Sequence, residues 1–171
     1  MDTKEVIERG QYVFDKVLSF IPRVDAKIST LLAINTGMLA LLGSNMPALD
    51  LFKEWYMFVP ILPLISVSAT LYFLYQSSYP SLHGGQSSLI YFREICKRTE
   101  SNFMKEFQAQ TEEDFAKDIM GQTWRNAEIA SKKYQTIKNA FVCTALTIVP
   151  WAISLSIFVS KNHLATQAIV K

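Results

Sequence analysis

The side chains able to do chemistry are few, and their spacing does not suit catalysis. Two histidines, His83 and His163, and two cysteines, Cys96 and Cys143, are scattered through 171 residues. Neither pair has metal-ligand spacing, and a zinc site would need carboxylates for most of its shell. No GxSxG, HExxH, Walker loop or GxGxxG occurs, so the usual nucleophilic, metal-assisted and dinucleotide chemistries lack their residues. The run Glu112-Glu113-Asp114 follows Thr111 and reads as a capped helix start rather than an acid/base pair. No enzymatic activity, metal or resident cofactor is expected. Binding chemistry remains. Ser88, Tyr91, Arg93, Gln122, Asn126, Lys132, Lys133 and Tyr134 supply donors, aromatic faces and cations suited to an anionic, ring-bearing ligand. Arg23, Asp25 and Lys27 form a charged cluster that reads as an interfacial anchor or as one wall of such a pocket. His83-Gly84-Gly85 adds a short phosphate nest. Taken singly, each of these residues also reads as ordinary solvated surface.

The elements that must position these residues are greasy. Half of the chain is apolar and only 19% is charged, against roughly 25% in soluble domains; the mean hydropathy is +0.15. Three runs carry no charge: 28–46, 55–78 and 140–160. A bilayer-spanning helix needs about 20 mostly apolar residues, so all three are expected to span. Asn35 and Thr36 make the first run the most polar, and Asn35 should find a partner on another helix. Pro60, Pro63 and Pro150 are expected to kink their spans. Small residues recur at Ala33, Gly37, Ala40 and Ser44, and again at Ala140 and Thr144; this spacing suits close packing of spans within one chain or between copies. Net charge is +2, too balanced for a nucleic-acid footprint.

Lys and Arg set the orientation. Residues 1–27 hold five and residues 79–139 hold nine, whereas the loop 47–54 holds one and the tail after residue 160 two. The N-terminus and residues 79–139 are therefore expected in the cytoplasm, with the C-terminus outward. The first 27 residues carry mixed charge and do not read as a secretory leader, and neither end carries a lipidation motif.

Outside the spans the periodicity is helical. Residues 3–21 form an amphipathic helix expected to end or kink at Pro22 and to lie against the middle region rather than on the membrane. After a break at 77–88, Ser87 or Ser88 is placed to cap a helix over 89–98 with Ile95 and Cys96 inward. A short helix around 102–110 should bury Phe103 and Phe107. A stripe of Phe115, Ile119, Ala127, Ala130, Tyr134, Ile137 and Phe141 marks one long helix with no proline before Pro150. That helix should run into the third span over a length on the order of 70 Å. The expected fold is an all-α integral membrane protein, a single domain of residues 1–171 with three transmembrane helices and a cytoplasmic helical layer.

These residues resemble a family. The segment RVDAKISTLLAINTGMLALL (23–42) is similar to the Asp-x-Lys-plus-apolar opening of the Pycsar transmembrane effector domain. YPSL (79–82), SLIYFREI (88–95), the phenylalanine-bearing helix near 103–107 and QTWRNAEIASKKYQTIKNA (122–140) follow in order. Phe103 stands where many such relatives carry tyrosine, so no role of that hydroxyl is carried over. The resemblance implies a bacterial inner-membrane effector encoded beside a pyrimidine nucleotide cyclase. Phage infection would trigger synthesis of cyclic UMP or cyclic CMP. The nucleotide would activate the effector, which would impair the membrane and stop growth in an abortive, toxin-like response. Its partners would be the lipid bilayer, further copies of itself and, through the nucleotide, the cyclase. The alternative is a constitutive scaffold or regulatory subunit that binds a protein through its cytoplasmic helices.

Overall fold

The computed structural model describes residues 2–47, 55–79 and 84–169. Every regular element among them is helical: α1 (Thr3–Leu18), α2 (Phe20–Ser44), α3 (Ile61–Ser78), α4 (Phe92–Ile95), α5 (Glu100–Ala109) and α6 (Glu112–Ile169), with a 3-10 turn at Trp55–Phe58. The chain divides into two compact units, Met1–Asp25 with Tyr79–Tyr134, and Ala26–Ser78 with Gln135–Lys171.

The second unit holds the greasy helices. Stretches within Thr3–Ser44, Trp55–Ser78 and Glu112–Leu164 are long and apolar enough to cross a membrane. α2 runs parallel to α6. Asn35 bonds Thr144, Trp151 donates its indole N–H to the Met38 carbonyl at 2.8 Å, and Asn162 donates to the Asn45 carbonyl at 2.8 Å. α3 runs antiparallel to α6, because Ser66 meets Cys143 while the preceding Tyr56 and Met57 pack with Phe158. The outward faces are apolar, with Leu32, Leu41, Leu62, Ile65, Leu146, Val149 and Ile153 exposed. Hydrocarbon is the one solvent in which such a surface is not costly.

The first unit is built on the N-terminal part of α6. Thr111 caps that helix: its hydroxyl accepts from the Asp114 N–H at 3.2 Å and donates to the Asp114 carboxylate at 2.6 Å. α1 lies against α6, where Gly10 approaches so closely that a Cβ there would sit 3.2 Å from Ile119. The expected packing of this helix on the middle region is thus observed.

Several expectations change. α1 ends at Leu18 rather than residue 21, and Pro22 falls in the first turn of α2, where a missing N–H costs nothing. Pro60 precedes α3 and Pro63 sits in its first turn, so the irregularity of the second span is a 3-10 turn at its start, not a kink. The helix expected over 89–98 shrinks to the single turn α4, capped by Tyr91 without a side-chain bond, and Cys96 is exposed. α5 buries no residue; Phe103 and Phe107 stack on each other at 5.8 Å on its open face. Ala127 and Phe141 leave the long stripe and are exposed, while Ala116, Ile119, Ala130 and Ile137 form it. α6 does run unbroken from Glu112 through Pro150 to Ile169, roughly 85 Å at 1.5 Å per residue.

Candidate functional site

The first unit contains a cavity of about 600 Å³ lined by Gly85–Leu89, Arg98, Glu106, Gln110 and the α6 residues Asp114, Lys117, Asp118, Gly121, Gln122 and Arg125. That size lies within the usual range for small-molecule pockets, ~300–1,000 Å³. The wall on the loop side is pinned to α6 by one carboxylate. Asp118 accepts from the Ser88 hydroxyl at 3.0 Å and from the Leu89 backbone N–H at 2.9 Å. The Ser88 oxygen in turn accepts from the N–H groups of Ile90 and Tyr91, at 3.1 and 3.0 Å. These bonds satisfy the backbone that a longer helix would have satisfied internally, which is why α4 is so short.

Arg98 closes the same loop from the other side. Its guanidinium donates to the Glu94 carbonyl at 2.7 Å, to the Ser87 carbonyl at 3.1 Å and to the Glu106 carboxylate at 2.6 Å. Ser87 adopts a φ of 60°, a left-handed conformation that costs a non-glycine residue about 1 kcal/mol or more. The Glu94 carboxylate holds it there by accepting the Ser87 N–H at 3.1 Å. Hydrogen bonds from Lys97 and Ser87, with the positive charges of Lys97 and Arg98, lower the Glu94 pKa below its ordinary value.

Most charges around the cavity are therefore committed. Arg98 pairs with Glu106, Lys117 with Glu113 at 2.9 Å, and Asp114 with Thr111. Arg125 differs: its Nη1 is buried and has no hydrogen-bond partner among the described residues. Gly85 lies directly over it. A Cβ at Gly85 would run into Arg125 Nη1 and sit 2.8 Å from Gln122 Nε2. Glycine thus lets the backbone lie directly against the guanidinium and the amide. The cavity presents one uncommitted cation and several neutral donors, with Ser88 and Gln122 each 4% exposed. This set suits a singly charged oxyanion carrying a polar ring.

Ser88 and Gln122 are the predicted residues that line the cavity. Tyr91 packs its ring against Gly84 just beyond the wall. Asn126 donates to the Gln122 carbonyl at 2.8 Å, a bond within its own helix. Arg93 lies on the exposed side of α4. A second predicted group gathers separately: Lys133 pairs with Asp25 at 2.6 Å, the Tyr134 ring meets Phe20 edge-on at 6.5 Å, and Arg23 lies over Phe20 at 5.5 Å. Lys27 belongs to the other unit, Lys132 pairs with Glu128 at 2.8 Å, and His83 lies outside the described residues. Arg98, Asp118 and Arg125 are among the cavity residues that the sequence reading missed. A signal was present: Asp118, Gln122 and Arg125, spaced i, i+4 and i+7, put a polar stripe on a buried helix face.

Three apolar helices fit a protein of the bacterial inner membrane, and the first unit adds a pocket of ligand size. Residues 10–160 match the Pycsar effector protein domain, PycTM. The chain belongs to this family of Pycsar antiphage effectors, which links it to a nucleotide cyclase through a cyclic nucleotide. No curated protein and no solved structure matches it.

Proposed function

We propose that this chain is a non-catalytic inner-membrane effector that a cyclic pyrimidine nucleotide, cyclic UMP or cyclic CMP, switches on to impair the bilayer and abort phage infection. The observation that carries the ligand half is the unpartnered, buried guanidinium nitrogen of Arg125 at the wall of a nucleotide-sized cavity. A cyclic mononucleotide carries one negative charge, and the cavity offers one uncommitted cation among the described residues. A triphosphate would leave most of its charge uncompensated there. Arg125 would hold the cyclic phosphate, and Gln122 and Ser88 would meet the ribose or base. The cluster of Arg23, Asp25, Lys133 and Tyr134 then serves to hold the start of α2 against α6.

A nucleotide shifts a population only by binding one state better. α6 contributes to both units, so ligand contacts at Asp118, Gln122 and Arg125 bear on the same helix that crosses the membrane. Self-association is supported by Ala33, Gly37, Ala40 and Ser44, which are exposed rather than used inside the bundle, leaving a close-approach face open on α2. The N-terminus and residues 79–139 face the cytoplasm, and the C-terminus faces outward, by the distribution of Lys and Arg.

Calorimetric titration of the detergent-solubilised chain tests the ligand reading. Saturable binding of cyclic UMP or cyclic CMP, lost in Arg125→Ala and absent for cyclic AMP, is expected. Failure of both pyrimidine nucleotides to bind would overturn the proposal. The second reading, a constitutive scaffold, draws on α5, which leaves Met104 and Phe107 exposed as a docking face. Overexpression with and without a pyrimidine nucleotide cyclase separates the two: a scaffold leaves growth untouched in both cases.

A further inference from the structure

The second unit is polar where its helices meet. Asn35, Thr70, Thr147 and Ser154 are each 0% exposed, and Ser77 and Thr144 are nearly so. On α6 the inward stripe reads Thr144, Thr147, Trp151 and Ser154, while its outward neighbours Leu146, Val149 and Ile153 are apolar. From the level of Ser66 and Thr147, the hydroxyls continue along α6 to Ser154, about 10 Å one way, and along antiparallel α3 to Ser77, about 16 Å the other way. Together they cover most of a hydrocarbon core of ~30 Å.

The hydrogen bonding inside this seam places its protons but leaves acceptors over. Asn35 donates from Nδ2 to the Thr144 hydroxyl at 3.0 Å and to the Leu31 carbonyl at 2.8 Å. Its Oδ1 is buried without any partner among the described residues. Turning the amide over would set that oxygen against the Leu31 carbonyl. Thr147 has one proton and two acceptors in reach, Ser66 Oγ at 2.7 Å and the Cys143 carbonyl at 2.8 Å. Ser66 also donates to that carbonyl, at 3.0 Å. Interhelical adhesion needs only matched pairs. A surplus of oxygen lone pairs along the membrane axis is instead what a file of water requires.

We infer that this seam is the water-lined route through the bilayer in the activated state. The inference rests on the effector reading and specifies how the membrane is breached. At rest the α2–α6 and α3–α6 bonds hold the seam shut and dry. On activation these bonds exchange for water, with Thr144, Thr147, Ser66 and the free Asn35 oxygen facing the path. No charged residue lies in any of the three charge-free runs; without rings of charge the route discriminates poorly between anions and cations.

Thiol accessibility in proteoliposomes tests the inference. In a background carrying Cys96→Ser and Cys143→Ala, single substitutions Ser66→Cys, Thr147→Cys and lipid-facing Val149→Cys are exposed to a charged methanethiosulfonate, with cyclic UMP or cyclic CMP present or absent. The expected result is at least tenfold faster labelling at the two seam positions with nucleotide, and none at Val149→Cys. Nucleotide-driven ion flux with the seam thiols unlabelled would overturn the route while leaving the effector reading standing. Absence of both flux and labelling with either nucleotide would overturn both. Thr147→Val separates a route from simple adhesion by sign. The route predicts activated flux reduced severalfold, and rescue by Thr147→Ser. Activated flux undiminished in Thr147→Val would mark Thr147 as adhesive only and overturn the inference.

Discussion

Replacing Gly85 by alanine should separate ligand binding from folding. No glycine among the described residues has positive φ, so the backbone accepts alanine. The new methyl would run into Arg125 Nη1 and approach Gln122 Nε2 to 2.8 Å. Both are tips of flexible side chains, which swing aside at little cost. Removing glycine also stabilises through the unfolded chain by about 0.4–1 kcal/mol. The two effects oppose each other, and the melting temperature should stay within about 3 °C of the parent for a chain of this size. Binding should suffer far more. A charge-assisted hydrogen bond contributes ~1.5–3 kcal/mol, so losing the Arg125 contact weakens affinity roughly 10- to 150-fold. Gly43→Ala, in α2 and away from the cavity, is the control, because its methyl meets nothing within 4 Å; it should strengthen α2 by up to ~1 kcal/mol and leave affinity within a few-fold. Thermal melts and calorimetric titration in detergent read both quantities. Parent-like affinity in Gly85→Ala, or equal weakening in both variants, would refute the assignment of Arg125.

Three further outcomes are expected. Asp25→Ala should cost about 1 kcal/mol, seen as a lowered melting temperature, because it removes the 2.6 Å pair with half-buried Lys133; an unchanged melt would show that the pair contributes nothing. Glu94 has its pKa lowered in the fold by Lys97 and Ser87, so its contribution is complete above the unfolded pKa and is lost as pH falls through the folded one. The exchange protection of the Ser87 amide, taken relative to its intrinsic rate at each pH, should therefore fall in acid, and Glu94→Gln should remove that pH dependence. A periplasm-active reporter fused after Lys171 should be active and one fused at the N-terminus inactive; the reverse would invert the topology.

Much of the bilayer unit was legible in the sequence, because absence of charge over some 20 residues is a one-dimensional signal. The continuity of α6 was legible for a similar reason, with no proline between Thr111 and Pro150. The cavity was harder to read. Its wall depends on Asp118 reaching Ser88 and Leu89, a pairing across 29–30 residues that no local periodicity encodes. The same pairing reduced the segment 89–98 to one turn against its helical pattern. Lys133 and Asp25, expected at a ligand pocket, pair with each other. The uncommitted cation proved to be Arg125, whose helix spacing from Asp118 and Gln122 was visible but not distinctive.

Reconstitution of the full chain in dye-loaded liposomes tests the central claim most directly. Micromolar cyclic UMP or cyclic CMP should release the dye, cyclic AMP should not, and Arg125→Ala should abolish the response. Intact vesicles under both pyrimidine nucleotides, with the protein inserted, would contradict the account.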